Sequence, residues 1–164
     1  MIRPQRIAHV VIKVRDLERS KRFYMEVLGL DLMGEIQAPR VAFLAANRRD
    51  HHEIGLLEVG EKAGPPDPRA VGLVHIAFRL SNEDELRDAY SELKERGVPI
   101  SFTVDHGVTK SVYFFDPDGN ELEVYSDNAP EDYARLSNAY AGSDKLAFAP
   151  DDPGLEDLVR ALKS

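Results

Sequence analysis

Apolar residues recur at every second position of Ile7–Val14 (IAHVVIKV), with Ala8, Val10, Ile12 and Val14 on one side and His9, Val11 and Lys13 on the other. A period of two predicts a strand with one face turned to a core. From Asp16 the period lengthens, and Leu17, Phe23, Tyr24, Val27 and Leu28 form the apolar stripe of a helix that begins at an Asp cap and ends at Gly29. Three shorter strands follow, Asp31–Gln37, Arg40–Ala46 and Glu53–Val59, broken by Pro39 and by Asn47-Arg48-Arg49-Asp50. The first sixty residues therefore read β-α-β-β-β.

Gly60–Ala70 (GEKAGPPDPRA) suits neither helix nor strand and reads as a linker. After it the order begins again. Val71–Leu80 is a strand, Asn82–Arg96 a helix closed by Gly97, and Pro99–Val104, Lys110–Phe115 and Glu121–Tyr125 are three more strands. His9, in Ala8-His9-Val10-Val11, and His75, in Val74-His75-Ile76-Ala77, take equivalent places in the two copies. An internal duplication outranks any single motif as evidence of architecture. The boundaries that follow are 5–60 for the first module, 61–70 for the linker, 71–126 for the second module and 127–164 for a C-terminal helical tail. In the tail, Pro130–Ala139 and Gly154–Lys163 are the expected helices, on either side of Pro150-Asp151-Asp152-Pro153.

Composition narrows the chemistry. At 164 residues, 43% hydrophobic and 30% charged, the chain suits one compact domain or two small modules. With 21 basic residues against 29 acidic ones the net charge is −8, and no basic tract is present, which argues against nucleic acid and anionic membranes as partners. The absence of cysteine excludes disulfides, thiolate metal sites and a cysteine nucleophile, so a metal would be held by His, Asp or Glu. The opening Met1-Ile2-Arg3-Pro4-Gln5-Arg6 leads into an apolar stretch broken by His9 and Lys13, and the expectation is a soluble, cytoplasmic protein without a signal peptide or membrane span.

Strand alternation also sorts the candidate ligands. Val74, Ile76, Phe78 and Leu80 face a core, leaving His75, Ala77 and Arg79 on the other face. In the last strand Leu122 and Val124 face inward, opposite Glu121, Glu123 and Tyr125. A lone strand His is more often a satisfied or half-exposed residue than a ligand, but two at equivalent positions of a repeat are a pair. Two imidazoles and one carboxylate on one side of a divalent ion make the facial arrangement of non-haem Fe(II) sites. Asp116-Pro117-Asp118-Gly119 is a type I turn sequence, and it places Glu123 on a strand whose hairpin partner carries Tyr113.

With these residues in view, positions 5 to 126 resemble the vicinal oxygen chelate superfamily, which includes glyoxalases, bleomycin resistance proteins and dioxygenases. Val104-Asp105-His106, Val112-Tyr113-Phe114-Phe115-Asp116-Pro117-Asp118-Gly119 and Glu123 look most like the signature of a small single-domain extradiol catechol dioxygenase. The resemblance implies an α+β fold in which two paired βαβββ modules form a curved mixed sheet around one metal site. It implies His9, His75 and Glu123 as ligands of Fe(II), with Mn(II) as the alternative metal. It also implies three catalytic residues: His52 as a proton-transfer group near the oxygen site, and His106 and Tyr113 as hydrogen-bond partners of the substrate's oxygens.

The expected activity is that of an extradiol, catechol 2,3-type dioxygenase, an oxidoreductase of aromatic hydrocarbon catabolism that opens an aromatic diol with O2. The competing readings are a glyoxalase-like metal-dependent lyase or isomerase, an antibiotic-resistance transferase of the same superfamily, and a drug-binding protein. A lyase of this kind uses a further carboxylate from the first module. Glu53 is the nearest candidate, and alternation sets it on the opposite face from His52. Exposed sheet edges make a homo-oligomer the expected assembly. The choice between monocyclic and bicyclic catechols is left open by the sequence.

Overall fold

A computed structural model describes residues 1–48, 50–134, 136–138 and 142–163, with side chains up to 160. The chain divides into two compact units, Met1–Pro66 and Asp67–Ser164.

The first unit runs β1 (Val10–Val14), α1 (Leu17–Glu26), β2 (Asp31–Gln37), β3 (Arg40–Ala45) and β4 (Ile54–Glu58). Its sheet has the order β1-β4-β3-β2, with β1 parallel to β4 and the other pairs antiparallel. The Asp16 carboxylate accepts a 3.0 Å hydrogen bond from the Arg19 amide and so caps α1. Leu17 and Tyr24 of α1 are buried with Ile12, Val14, Leu44 and Leu56 of the sheet. That is the apolar face expected from alternation.

The second unit repeats this plan with β5 (His75–Arg79), α2 (Glu83–Glu95), β6 (Ile100–Asp105), β7 (Thr109–Phe115) and β8 (Glu121–Asp127). The strand order is β5-β8-β7-β6, again with only the first pair parallel. Asn82 caps α2 through a 2.9 Å bond from the Glu85 amide. Leu86 and Leu93 of α2 are buried with Val112, Phe114, Leu122 and Val124. Even the irregularities recur, since β2 shifts register between Leu32 and Gly34 and β6 between Ile100 and Phe102. Each unit is thus a mixed four-stranded sheet with a helix on one face, and the fold is α+β.

Two strands start later than alternation predicts. β1 begins at Val10 instead of Ile7, and β5 at His75 instead of Val71. Of the residues before them only Ile7, Val71 and Val74 are β-branched, none has a ladder partner among the described residues, and Ile7 and Val74 stay 87% and 74% exposed. Strand β4 begins at Ile54, so His51 and His52 lie in the bend before it.

The tail is less helical than expected. Its first helix, α3, spans only Pro130–Tyr133, and Arg135 and Ala139 of the predicted segment lie outside the described residues. The second, α4, spans Leu155–Lys163. Between them, two isolated bridges join the tail to β6, Thr103 with Gly154 and Asp105 with Asp144. Among the described residues no helix is long and apolar enough to cross a membrane.

Candidate functional site

Register places the chemistry of the second unit. Across β7 and β8, Tyr113 is the partner of Glu123. Across β5 and β8, Ala77 is the partner of Glu123 and His75 that of Glu121. Side chains alternate, so His75, Tyr113 and Glu123 all leave the face opposite α2. The His75 Nε2–H donates to Glu123 Oε2 at 3.1 Å. Tyr113 lies edge-on to His75, with ring centroids 5.2 Å apart, and flat against Phe102 at 4.1 Å with the planes 8° from parallel. Its hydroxyl is 3.1 Å from His106 Nε2.

His106 follows the end of β6 in a tight loop that turns at Gly107, whose φ is 89°. The loop is held by Asp105 Oδ1, which accepts from the Gly107 amide at 2.8 Å, and by Asn128 Nδ2, which donates to the Gly107 carbonyl at 2.8 Å. Glu123 is positioned by the turn before β8. There Asp116 Oδ1 accepts from the amides of Asp118 and Asn120 at 2.9 and 2.8 Å.

Glu123 is only 6% exposed. Burial opposes its charge more than any one contact favours it, yet His75, Ser111 and Tyr113 together hold the carboxyl below the ordinary glutamate value. Ser111 contributes although its buried hydroxyl makes no well-formed hydrogen bond. The bond to Glu123 in turn raises the His75 imidazole against the opposing effect of burial. Burial, then the charge of Glu123, pushes the Tyr113 phenol well above its usual range, so it stays a hydrogen-bond donor at neutral pH.

A buried anionic carboxylate beside an imidazole suits a divalent cation, because oxygen and nitrogen donors of this kind match borderline metals. His75 and Glu123 therefore fit such an ion. The face on which they sit opens into a concavity of about 1030 Å³. Arg79, Tyr125 and Asp127 line it from the strands, His106 from the loop, and Pro130 and Tyr133 from α3. Alternation had already put Arg79 and Tyr125 on this face, whereas nothing in the local pattern signalled Pro130 or Tyr133.

The first unit carries its own histidine group. His9, one residue before β1, has its ring centroid 4.5 Å from that of His52 and 6.0 Å from that of His51. The Nδ1 atoms of His51 and His52 are 2.6 Å apart, so one ring donates and the other accepts. Both side chains come from the bend before β4, and both rings lie near His9. Phe43 of β3 packs 4.8 Å from His52. Burial, then the neighbouring His51 and His9, lowers the His52 imidazole from its ordinary value. Glu53 is engaged elsewhere, its carboxylate accepting from the Ala46 amide at 3.0 Å.

Similarity to known proteins identifies the family and the fold. The chain is 35% identical over 130 residues to biphenyl-2,3-diol 1,2-dioxygenase 3 of Rhodococcus globerulus, covering 75% of this chain and 64% of that one. It is 32% identical over 122 residues to the metallothiol transferase FosB of Staphylococcus haemolyticus, covering 73% and 82%. The chain thus spans less than two thirds of the biphenyl-diol dioxygenase and most of the transferase. Both relatives are enzymes. The crystal structure of a glyoxalase/dioxygenase from Nostoc punctiforme superposes with a TM-score of 0.65 at 24% identity, covering 79% of this chain and 97% of that one. The sequence pattern of one family spans residues 6–124, from the segment before His9 to the strand that carries Glu123, and the chain belongs to the Glyoxalase/Bleomycin resistance protein/Dioxygenase superfamily.

Proposed function

We infer that this enzyme is an extradiol dioxygenase, opening a catechol-type aromatic diol with O2 at a non-haem Fe(II) held by His9, His75 and Glu123. The observation that carries the reading is the pairing of His75 with Glu123 and of His106 with Tyr113 on one concave sheet face. The 35% identity to a biphenyl-2,3-diol dioxygenase supports it.

When bound, the iron supplies Lewis acidity toward the diol's two oxygens and a route for electrons to O2. The remaining work falls to the chain. Glu123 keeps its negative charge and offsets the charge of the cation. The Tyr113 hydroxyl donates to a substrate oxygen, and His106 Nε2 fixes the direction in which that hydroxyl points. Tyr125 and Tyr133 offer flat apolar surface to an aromatic ring. His52, an imidazole able to take or give a proton near neutral pH, serves as the acid/base group.

Anaerobic loading with Fe(II), followed by addition of catechols under air, tests this directly. Oxygen uptake with appearance of a yellow ring-opened product is expected. A metallothiol transferase is the second reading, favoured by the 82% of FosB that the chain covers. Thiol transfer without oxygen uptake would establish that alternative and remove the first.

A further inference from the structure

The stretch from Gly142 to Leu158 follows the outer edge of β6 and touches both faces of the second sheet. Leu146 and Ala149 of this stretch are buried, and its contacts on the α2 side come from Phe148 and Asp152. Phe148 packs edge-on to Tyr90 at 5.6 Å, beneath the Arg87 guanidinium at 4.5 Å. Asp152, itself buried, accepts from the Tyr90 hydroxyl and from Lys94 Nζ. Along the edge, the Thr103 amide donates to the Pro153 carbonyl at 2.8 Å, and the Asp105 amide to the Asp144 carbonyl at 2.7 Å.

On the opposite face, Leu155 and Leu158 of α4 pack against the cluster of Phe102, Val104 and Tyr113. At the far end, the Gly142 amide donates to the His106 carbonyl at 3.2 Å. A β-carbon at Gly142 would lie 2.6 Å from Asp105 O and from Gly107 N, so only glycine allows this approach.

We propose that this strap is the positioning element of the Tyr113–His106 pair: Leu155 and Leu158 hold Phe102 flat against the Tyr113 ring, and Gly142 holds the backbone of His106. Tyr113 stands in the strand, but its ring is set by the Phe102 stack, and one face of that cluster is made by α4. His106 sits in a loop, where backbone position is set by whatever hydrogen-bonds to it. The strap thus reaches both members of a pair whose hydroxyl-to-nitrogen distance is 3.1 Å. Leu155, Leu158 and Gly142 are positioning residues, since none is assigned a contact with substrate. The proposal rests on the reading of Tyr113 and His106 as groups that face the substrate.

The test uses the whole 164-residue chain without metal, 13C-labelled in its tyrosine and histidine rings and leucine methyls, the Tyr113 ring signals being assigned by their loss in Tyr113→Phe. Stacking on Phe102 shifts those signals by ring current. In Leu155→Ala/Leu158→Ala the Tyr113 shift is expected to fall by half or more and to broaden, while the Leu86 and Leu122 methyl signals on the α2 face stay in place. Leu158→Met, which conserves volume, should restore the shift. After iron loading, the double variant should keep its metal and lose at least tenfold in kcat with little change in KM.

A Tyr113 signal that stays put in the double variant overturns the proposal. Should that variant fail to fold, Gly142→Ala reports on the other end of the strap, and His106 ring signals that do not move there overturn it equally. Absence of catechol cleavage by the unmodified protein would count against the dioxygenase reading and leave the ring-shift result standing.

Discussion

Glu123 and Tyr113 are direct partners across the β7–β8 ladder, so the buried carboxylate and the phenol share one patch of sheet. Burial and the carboxylate's charge keep the phenol protonated. The phenol, with His75 and Ser111, helps keep the carboxylate ionised. An ionised carboxylate and a protonated phenol thus come from one register position.

Metal content should follow the ligand set. His9→Ala, His75→Ala and Glu123→Ala, each reconstituted with Fe(II) and assayed by elemental analysis, are expected to retain less than half of the wild-type iron. Full occupancy in any one of them removes that residue from the set.

Tyr113→Phe and His106→Ala should bind iron normally and turn over slowly. Loss of a donor aimed at developing charge costs about 10²- to 10³-fold in kcat. Steady-state kinetics equal to wild type in both variants would return the pair to a packing role.

His52→Phe should keep its substrate and cleave it about 10²- to 10⁴-fold more slowly, the usual cost of losing a positioned proton-transfer group. The Nδ1 atoms of His51 and His52 are hydrogen-bonded at 2.6 Å, so the two rings are coupled. His51→Ala is therefore expected to lower the rate as well, by a smaller factor. A larger loss in His51→Ala than in His52→Phe would exchange their roles.

Asp152→Asn tests the anchor of the strap through pH. Burial raises the Asp152 carboxyl, but the hydrogen bonds from Tyr90 and Lys94 outweigh it and leave it below the ordinary aspartate value. A lowered folded-state pKa contributes stability above the unfolded value, about 3.9, and that contribution fades as pH falls through the folded one. The variant should be about 2 kcal/mol less stable at pH 7, as expected for hydrogen bonds to a charged group. The stability gap should narrow as pH falls below about 3.9, and a gap that does not narrow on acidification would exclude the ionic anchor.

The duplication was legible because each copy repeats signals that local chemistry fixes: an Asp or Asn cap, an apolar stripe and alternating strands. Strand starts were misjudged at Ile7 and Val71, since a β-branched residue looks the same with or without a ladder partner. His75 and Glu123 could be read from alternation, which the β5–β8 register obeys. His51 and His52 could not, because alternation holds only inside a strand and these two lie in a bend. The strap left no trace in the pattern, because the bonds from Thr103 and Asp105 to Pro153 and Asp144 join backbone atoms that every residue possesses.

The strap bonds have a consequence for how β6 finds its alignment. Thr103 and Asp105 are two apart, so they present their amides on the same side of the strand, and both amides are taken by the strap. A slip of one residue would aim the amides of Phe102 and Val104 outward and carry their side chains to the α2 face. β6 also contains a register shift of its own, between Ile100 and Phe102. The outer edge of this strand is thus aligned by a segment far downstream, whereas the β7–β8 pairing is joined by the local turn at Asp116.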